Sequence, residues 1–310
     1  MKRLVKKERA IALGNFDGVH LGHAAILRAA ADLAKENGIS SAALVFENEP
    51  DNFFAQKTVT RLLCDNALKE EQIRAFGIDD VLFLPFDEAF ASLSPEDFVR
   101  LLAEKFGAKA LVCGFDYRFG RQASGDAALL AQLGEQAGIS VKVCPAVEAD
   151  GEPVSATRIR ALLSAGETES AAALLGRPFT VSGRVEPGRR IGRELGFPTI
   201  NLHFAPDGII PAFGVYATRV RVDGRWYLGV TNVGVRPTVD HSDRIDAETH
   251  LIGLNRELYG KTVRVAYYKH LRPERNFGSV AALKEAIRAD VKETLDYFKN
   301  NALQTGNSMV

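Results

Sequence analysis

Five short, mainly apolar runs, separated by segments with helical periodicity, constrain the fold of the first half of the chain. A strand that is apolar along its whole length is buried on both faces, as in a parallel sheet covered by helices. We therefore expect right-handed βαβ units around a parallel sheet, which is an α/β domain. The apolar runs are 10–14, 42–46, 81–84, 110–113 and 141–143, and the helical segments are 22–37, 66–76, 95–106, 127–137 and, with a break at Gly166, 156–175.

The second half of the chain has a different pattern, with short strands between Gly and Pro residues. Residues 215–222 alternate, and Asp223-Gly224 connects them to a second run at 225–230; a two-residue Asp-Gly link predicts a β-hairpin. We expect a further strand at 262–268 and, from apolar residues spaced three or four apart, a closing helix over 280–298. These patterns predict a mainly antiparallel β-barrel with a terminal helix, and domains of 1–178 and 179–310.

Charge and cysteine content narrow the expected partners and location. The 310 residues include 39 Lys and Arg and 39 Asp and Glu, so the formal net charge is zero, and we expect no nucleic-acid partner. Cys64, Cys113 and Cys144 are far apart in the sequence, as is typical of a protein in the reducing cytoplasm. No apolar run approaches the roughly 20 residues that span a bilayer, so we expect no membrane partner.

The first candidate site is the glycine-rich segment GNFDGVHLGH at residues 14–23. It follows the first predicted strand, and the carboxyl end of a parallel strand is where such sheets bind ligands. Its three glycines would let the backbone approach a ligand closely, and the N-terminus of the next helix offers N–H groups to phosphate. His20 and His23 can both donate hydrogen bonds to phosphate oxygens. They could also form half of a metal site, although no third ligand at helical spacing accompanies them.

The second candidate site is a loop rich in glycine and arginine at residues 183–201. Backbone N–H groups in such a loop can surround phosphates while arginines neutralise their charge. The loop lacks the G-x-x-x-x-G-K-[ST] pattern of a P-loop. Its composition alone would fit a solvated surface turn equally well.

Several motifs resemble those of the bacterial bifunctional riboflavin kinase/FMN adenylyltransferases, also called FAD synthetases. GNFDGVHLGH is similar to their nucleotidyltransferase H-x-G-H motif, and GFDYRFG at 114–120 to their G-x-D-F-R-F-G segment. SATRIR at 155–160 is similar to S-S-T-x-I-R, with Ala156 in place of the second serine. GRELGFPTIN at 192–201 matches the riboflavin kinase signature G-R-x-L-G-F-P-T-x-N. Glu49 stands where the family usually has a histidine.

The resemblance implies a Rossmann-like nucleotidyltransferase domain followed by a riboflavin kinase domain, with ATP and Mg²⁺ used by both. A general base, a magnesium–nucleotide site and a flavin site are implied as well. The implied residues are Glu248, His20 and His23 for catalysis; Thr199 and Asn201 for the metal; Asp116, Tyr117 and Arg118 for the flavin; and Gly14, Asn15, Phe16, Asp17, Gly18, Gly22, Ser155, Thr157, Arg158, Gly183, Arg184, Gly192, Arg193, Gly196 and Pro198 for the nucleotides.

The two implied reactions need different chemistry. Phosphorylation of riboflavin to FMN uses an alcohol as the nucleophile, so a general base is needed near that hydroxyl. Adenylylation of FMN to FAD uses a phosphate that is already mostly dianionic at neutral pH, and needs only alignment and charge stabilisation. Two alternatives stay open: a riboflavin kinase with an inactive first domain, which Ala156 and Glu49 would favour, and a flavin- or nucleotide-sensing regulator without turnover.

Overall fold

The computed structural model describes residues 7–188, 191–236 and 244–305. The chain divides into two compact units, Met1–Ala156 and Thr157–Val310. The first contains a five-stranded sheet and the second a six-stranded sheet. Within the described part of the chain, no helix combines the length and the hydropathy that a membrane crossing requires.

The first unit is a parallel sheet covered by helices. Its strands are β1 (Arg9–Leu13), β2 (Ser40–Phe46), β3 (Asp80–Leu84), β4 (Ala108–Gly114), β5 (Arg118–Phe119), β6 (Gly125–Asp126), β7 (Ser140–Cys144), β8 (Glu148–Ala149) and β9 (Glu152–Pro153). Its helices are α1 (Leu21–Asn37), α2 (Pro50–Ala55), α3 (Asn66–Arg74), α4 (Glu88–Ala91), α5 (Pro95–Phe106) and α6 (Ala127–Gln136). The main sheet has the order β3-β2-β1-β4-β7, with all neighbours parallel. The chain order reverses between β1 and β4, the point at which open α/β sheets bind ligands.

Alternate side chains of β1 enter separate cores on the two faces of the sheet. Ile11 and Leu13 lie in a cluster with Phe98 of α5, whereas Ala12 lies in a cluster with Leu27 of α1. All five residues are buried. Burial on both faces is the reason that residues 10–13 of this strand are all apolar, as expected for a central parallel strand.

The second unit is a curled antiparallel sheet with a long terminal helix. Its strands are β10 (Phe179–Arg184), β11 (Thr199–His203), β12 (Gly214–Val222), β13 (Arg225–Arg236), β14 (Arg244–Leu251) and β15 (Thr262–Arg272), and its helices are α7 (Ala156–Ser164), α8 (Thr168–Leu175), α9 (Ile191–Leu195) and α10 (Val280–Thr305). The sheet order is β10-β15-β12-β13-β14-β11. An isolated bridge between Glu186 and Asn201 joins the segment after β10 to β11. The sheet therefore curls until its two edges meet at that bridge.

Three threonine hydroxyls form a hydrogen-bonded row inside the curled sheet. The hydroxyl of Thr231 lies 2.8 Å from that of Thr218 and 2.9 Å from that of Thr249. All three residues are fully buried. Thr231 and Thr249 are direct partners in the pairing of β13 with β14. The row satisfies polar atoms that this core would otherwise leave unpaired.

The structure confirms the predicted fold class, an α/β unit with a parallel sheet followed by a mainly antiparallel unit with a terminal helix. The Asp223-Gly224 hairpin is present, since Val222 pairs with Arg225. The break at Gly166 is also present, where a φ of 82° separates α7 from α8. Strands β10 and β11 were not predicted from the sequence.

The compact units divide between Ala156 and Thr157, whereas the predicted domain boundary lies between residues 178 and 179. Helix α8 packs against β10 and β15, and the Leu163 carbonyl of α7 accepts a hydrogen bond from the Ala212 N–H. These contacts group both helices with the second sheet. The sequence shows two Ala- and Leu-rich helices but not which sheet they cover, and the limits of the functional domains stay a prediction.

His270 of β15 is enclosed by a glycine and an aromatic ring. A Cβ on Gly214 would lie 2.3 Å from His270 Nε2, and the Tyr216 ring centroid is 4.8 Å from that of the imidazole. Nε2 is buried and has no hydrogen-bond partner among the residues that the structure describes. Burial lowers the pKa of His270 below its ordinary value of 6.5, because a protonated ring would lose hydration there.

Acid is therefore expected to destabilise the second unit in part through His270. The unfolded chain binds the proton with its ordinary affinity and the folded chain binds it more weakly, so the free energy of unfolding should fall as the pH drops below about 6.5. Urea unfolding of the wild type and of His270→Gln over a pH series measures this contribution. The variant should show the shallower dependence on pH, and parallel curves would contradict the assignment.

Candidate active sites

The glycine-rich segment after β1 forms a tight turn held from its inner side. Phe16 has a left-handed backbone with φ 51°, and its ring is buried. A Cβ added to Gly14 would lie only 3.2 Å from that ring. The buried Asp17 carboxylate accepts a hydrogen bond of 2.8 Å from the Leu63 N–H. Gly18 is also buried. Phe16, Asp17 and Gly18, all predicted to bind nucleotide, thus lie on the protein side of the turn and fix its shape.

The turn brings the two predicted histidines together at the start of α1. His20 is the N-cap of this helix, and its Nδ1 accepts a hydrogen bond from the His23 N–H. The two imidazole rings stack, with centroids 3.6 Å apart and planes inclined by 19°. Because Nδ1 of His20 is the acceptor, the proton of the neutral ring lies on Nε2, which can then donate to a ligand. The neighbouring helix N-terminus also favours an anion.

Both histidines line a cavity of about 520 Å³ at this edge of the sheet. Its size is that of a small-molecule site, and its wall combines polar groups with many aromatic rings. The predicted site residues in the wall are Gly14, Asn15, His20, Gly22, His23, Asp116, Tyr117, Arg118 and Ser155. The phenylalanines in the wall are Phe46, Phe54, Phe86, Phe90, Phe98, Phe115 and Phe119.

The aromatic part of the wall carries groups that stay uncharged. The rings of Tyr117 and Phe119 are nearly parallel, with an interplanar angle of 13°. Burial raises the pKa of the Tyr117 hydroxyl well above its usual range, and behind the wall it raises the pKa of the buried Cys113 thiol to about 11. This side of the cavity is therefore neutral and suited to a planar ring system.

Glu49, the departure from the family pattern, contacts the glycine-rich turn directly. Asn15 Nδ2 donates a hydrogen bond of 2.6 Å to Glu49 Oε2. Glu49 is only 9% exposed, and it is not one of the residues in the cavity wall, whereas Asn15 is. The Glu49 carboxylate therefore faces the Asn15 amide and lies behind it, outside the cavity wall.

Thr157 and Arg158 fall in the second compact unit, within the first turn of α7. The motif S-S-T-x-I-R also assigns its variable position to Arg158 and its arginine to Arg160. Arg158 was predicted because it would share the first helical turn with Thr157, beside a bound phosphate, and its role stays a prediction.

Strand pairing places the predicted kinase residues on one face of the second sheet. Asn201 of β11 is directly opposite Glu248 of β14, and Glu248 is directly opposite Asn232 of β13. Direct partners in an antiparallel sheet point to the same face, and Thr199 shares that face because it lies two residues before Asn201. The intervening residues of β11 and β14 are buried in the core.

The glycine- and arginine-rich loop closes over this face. The Glu186 N–H donates to the Asn201 carbonyl at 3.0 Å. A Cβ on Gly188 would lie 2.2 Å from Asn201 Nδ2, and one on Gly192 would lie 3.2 Å from Thr199 Oγ1. Both glycines therefore allow the loop to approach the two predicted metal-binding residues.

The other predicted residues of the loop have mainly supporting contacts. A Cβ on Gly183 would lie 2.8 Å from the core residue Leu202. Arg184 Nε donates to the Gly260 carbonyl at 3.1 Å. Gly196 follows α9 with a φ of 87°. The side chain of Arg193 lies outside the described part of the structure, as do residues 189–190.

A small cavity of about 50 Å³ adjoins Asn201, and Pro198 and Thr199 line it too. Asn201 is 3% exposed, and its Oδ1 is buried with no hydrogen-bond partner in the described residues. An unsatisfied buried acceptor costs about 1–3 kcal/mol, so a bound cation or donor would relieve this cost. Amide and hydroxyl oxygens are ligands that suit a hard cation such as Mg²⁺.

From the sequence, His203 is expected to be a structural or surface group; it lies two residues after Asn201 on β11. Its ring hydrogen-bonds to Asp246 and to Glu186, so it belongs to the surroundings of the kinase residues. The available signal was the alternation of Thr199, Asn201 and His203. It would have been useful only with β11 recognised as a strand.

Comparison with known proteins identifies the two units. The FAD synthetase family model matches residues 2–158, and the riboflavin kinase model matches residues 175–298. Bifunctional riboflavin kinase/FMN adenylyltransferases resemble the chain over most of its length: that of Pseudomonas fluorescens is 40% identical, covering 90% of this chain and 89% of the relative, and that of Bacillus subtilis is 34% identical, covering 96% of each. The chain belongs to this family. The predicted pairing of riboflavin kinase with FMN adenylyltransferase is confirmed, and neither a kinase with an inactive first domain nor a sensor is favoured.

A solved structure shares the fold of this chain. A crystal structure from Streptococcus pneumoniae, whose title calls it a macrolide-efflux protein, superposes with a TM-score of 0.83 at 29% sequence identity. The match covers 93% of this chain and 94% of that one. The likeness therefore extends over both the α/β unit and the curled antiparallel unit.

Gly188→Ala should impair riboflavin phosphorylation and leave FMN adenylylation unchanged. The added Cβ would enter the space of Asn201 Nδ2, so the loop or the amide must move. We expect kcat/KM for phosphorylation to fall about tenfold or more, equivalent to about 1.4 kcal/mol of transition-state stabilisation. The measurement is chromatographic separation of the flavins formed.

Gly278→Ala is the matched control, because nothing lies within 4 Å of the position that its Cβ would take. It should retain the wild-type rate in both reactions. Equal kinase rates for the two alanine variants would show that the close approach of Gly188 to Asn201 has no functional role.

Proposed function

We propose that the first unit adenylylates FMN in its cavity of about 520 Å³, and that the second phosphorylates riboflavin beside Asn201 and Glu248. The observation that carries the proposal is that each set of family residues adjoins a cavity of its own unit: His20 and His23 in the first, Thr199 and Asn201 in the second. ATP is the donor in both reactions. A cytoplasmic location, without a nucleic-acid or membrane partner, is part of the proposal.

Adenylyl transfer joins a phosphate oxygen of FMN to the α-phosphorus of ATP and releases pyrophosphate. The second pKa of a phosphate monoester is about 6, so at neutral pH FMN is already a nucleophilic dianion and needs no base. His20 Nε2–H, His23 and the N–H groups at the start of α1 would donate to phosphate oxygens as charge develops on the leaving group. Asp116, Tyr117 and Arg118 would hold the flavin nucleotide along the aromatic wall.

Phosphoryl transfer to riboflavin needs removal of a proton from an alcohol. Glu248 would accept that proton while the oxygen bonds to the γ-phosphorus of ATP and ADP leaves. Its place opposite Asn201 puts the base next to the residues that would hold the nucleotide. The N–H groups of the glycine-rich loop would surround the transferring phosphate.

Mg²⁺ fits the chemistry of the kinase site. Thr199 Oγ1 and Asn201 Oδ1 are the atoms that would hold the magnesium–nucleotide, and the unsatisfied, buried Oδ1 supports this assignment. A bound Mg²⁺ would neutralise part of the charge on the ATP phosphates.

Chromatography of flavins after incubation with ATP and Mg²⁺ tests the proposal. Starting from riboflavin, FMN should appear first and FAD second; starting from FMN, only FAD should appear. FMN without FAD would overturn the role of the first unit. The absence of any product from either substrate would overturn both.

Single substitutions should separate the two activities. His20→Ala or His23→Ala should lower FMN adenylylation by about 10²–10³-fold, because each removes a donor to the transferring phosphate, while riboflavin phosphorylation continues. Glu248→Gln should lower phosphorylation by about 10²–10⁴-fold, because the amide cannot accept the proton, while adenylylation of FMN continues. Each variant is the control for the other, and a variant that loses both activities would refute this division.

Asn201→Ala should raise the Mg²⁺ concentration needed for half-maximal riboflavin phosphorylation by about tenfold. It should cost little stability without ligand, because it removes an acceptor that the folded protein leaves unsatisfied. Mg²⁺ titration of initial rates and urea unfolding measure the two effects. A strongly destabilised variant with an unchanged Mg²⁺ requirement would indicate a structural role instead.

A further inference from the structure

His203 connects the glycine-rich loop to the sheet beneath it. Its Nε2 lies 2.8 Å from Glu186 Oε2, and its Nδ1 hydrogen-bonds to Asp246 Oδ1. Asp246 is the direct partner of His203 in the pairing of β11 with β14, and it is only 1% exposed. One end of this three-residue chain is therefore fixed in the sheet, two residues from Glu248.

The other end of the chain is at the root of the loop. The Glu186 N–H donates a hydrogen bond to the Asn201 carbonyl, which fixes the backbone at this position. The hydrogen bond between His203 and the Glu186 side chain is a second attachment. That side chain is 48% exposed, so its position depends on the bond to His203 more than on packing. Two residues later, Gly188 lies against the Asn201 amide, which makes the loop position sensitive to this anchor.

The arrangement is not that of a metal site. The two carboxylates contact different nitrogens of one imidazole ring, so they lie on separate edges of the ring and do not converge on a common point as metal ligands do. No group of three or more His, Cys, Asp or Glu in the described ranges could hold a metal ion. What the geometry does provide is a link from a buried strand residue to the loop.

We propose that His203 is a positioning residue of the riboflavin kinase site, which holds Glu186 and with it the loop against Asn201. The inference rests on the proposed role of Asn201 and this loop in binding the nucleotide. Without the hydrogen bond between His203 and Glu186, the loop keeps only its backbone bond to Asn201. The rest of the loop must then become ordered when the nucleotide binds, and the entropy cost of this ordering weakens nucleotide binding. The effect falls on ATP affinity, because neither His203 nor Glu186 takes part in phosphoryl transfer.

The test is the ATP dependence of riboflavin phosphorylation by the full chain. In both His203→Ala and Glu186→Ala, the KM for ATP should rise about five- to tenfold, as expected for the loss of one partly exposed, charge-assisted hydrogen bond. In both, kcat should stay within about twofold. FMN adenylylation by the same preparations provides an internal measure of enzyme concentration and should not change.

The double variant His203→Ala/Glu186→Ala provides the sharpest readout. Residues that act through one shared bond are not additive, so its KM for ATP should match that of either single variant. Glu186→Gln keeps an acceptor oxygen for His203 and should recover most of the affinity. Glu285→Ala is the matched control, since it removes an 81% exposed carboxylate from α10 of the same unit, and its KM should equal that of the wild type.

The outcomes separate this inference from the proposed function. An inactive wild type would overturn the kinase assignment and the inference with it. An active wild type whose KM for ATP is unchanged in Glu186→Ala, or additive effects in the double variant, would overturn the inference alone. If thermal unfolding shows that His203→Ala is misfolded, Glu186→Ala decides the question, because it breaks the same bond at a half-exposed side chain. A fall in kcat with an unchanged KM would also contradict a positioning role.

Discussion

The pairing register of β11 with β14 determines whether the proposed kinase residues share one face of the second sheet. In this register Asn201 faces Glu248 on the outer side of the sheet, while Ile200 and Leu202 are buried in the core. A shift of one residue would exchange the two sides and expose the apolar pair. The hydrophobic effect, acting on Ile200 and Leu202, therefore orients the polar residues to which we assign a chemical role. The close fit of the loop over Asn201 depends on the same alignment.

The first unit aims its side chains by a different backbone device. The turn after β1 places His20 at the N-cap of α1, and the bond from the His23 N–H sets which ring nitrogen is available to a ligand. Phe16 and Asp17 stabilise the turn from its buried side. Within residues 14–23, Phe16 and Asp17 therefore support the turn, whereas His20 and His23 face the cavity. In both units, backbone hydrogen bonds orient the groups that we propose to contact substrate.

The sequence predicted the parts of the fold in which one physical pattern dominates. The buried parallel strands are continuously apolar, and the hairpin at Asp223-Gly224 has a specific turn signal. Strand β14 alternates, and its inward row includes the buried residues Ala247 and Thr249. Strand β11 has only Ile200 and Leu202 as its apolar residues. Its outward Asn201 is buried because Glu186 and Gly188, earlier in the same glycine- and arginine-rich loop, fold back over it, and nothing in the five-residue strand predicts that cover.

The threonine row has a consequence for the alignment of the strands. A shift of β14 by two residues along β13 would keep every side chain on its own side of the sheet, so burial of apolar surface offers little resistance to it. In that alignment Thr249 would face Gly229 or Val233 instead of Thr231, and buried hydroxyls would lose their partners. Burial of the apolar side chains permits only alignments of β14 along β13 that differ by an even number of residues. The hydrogen bonds between threonine hydroxyls select one of these alignments. The position of the Glu248 carboxylate along the outer face is thus set by the hydrogen bond between the Thr231 and Thr249 hydroxyls on the inner face.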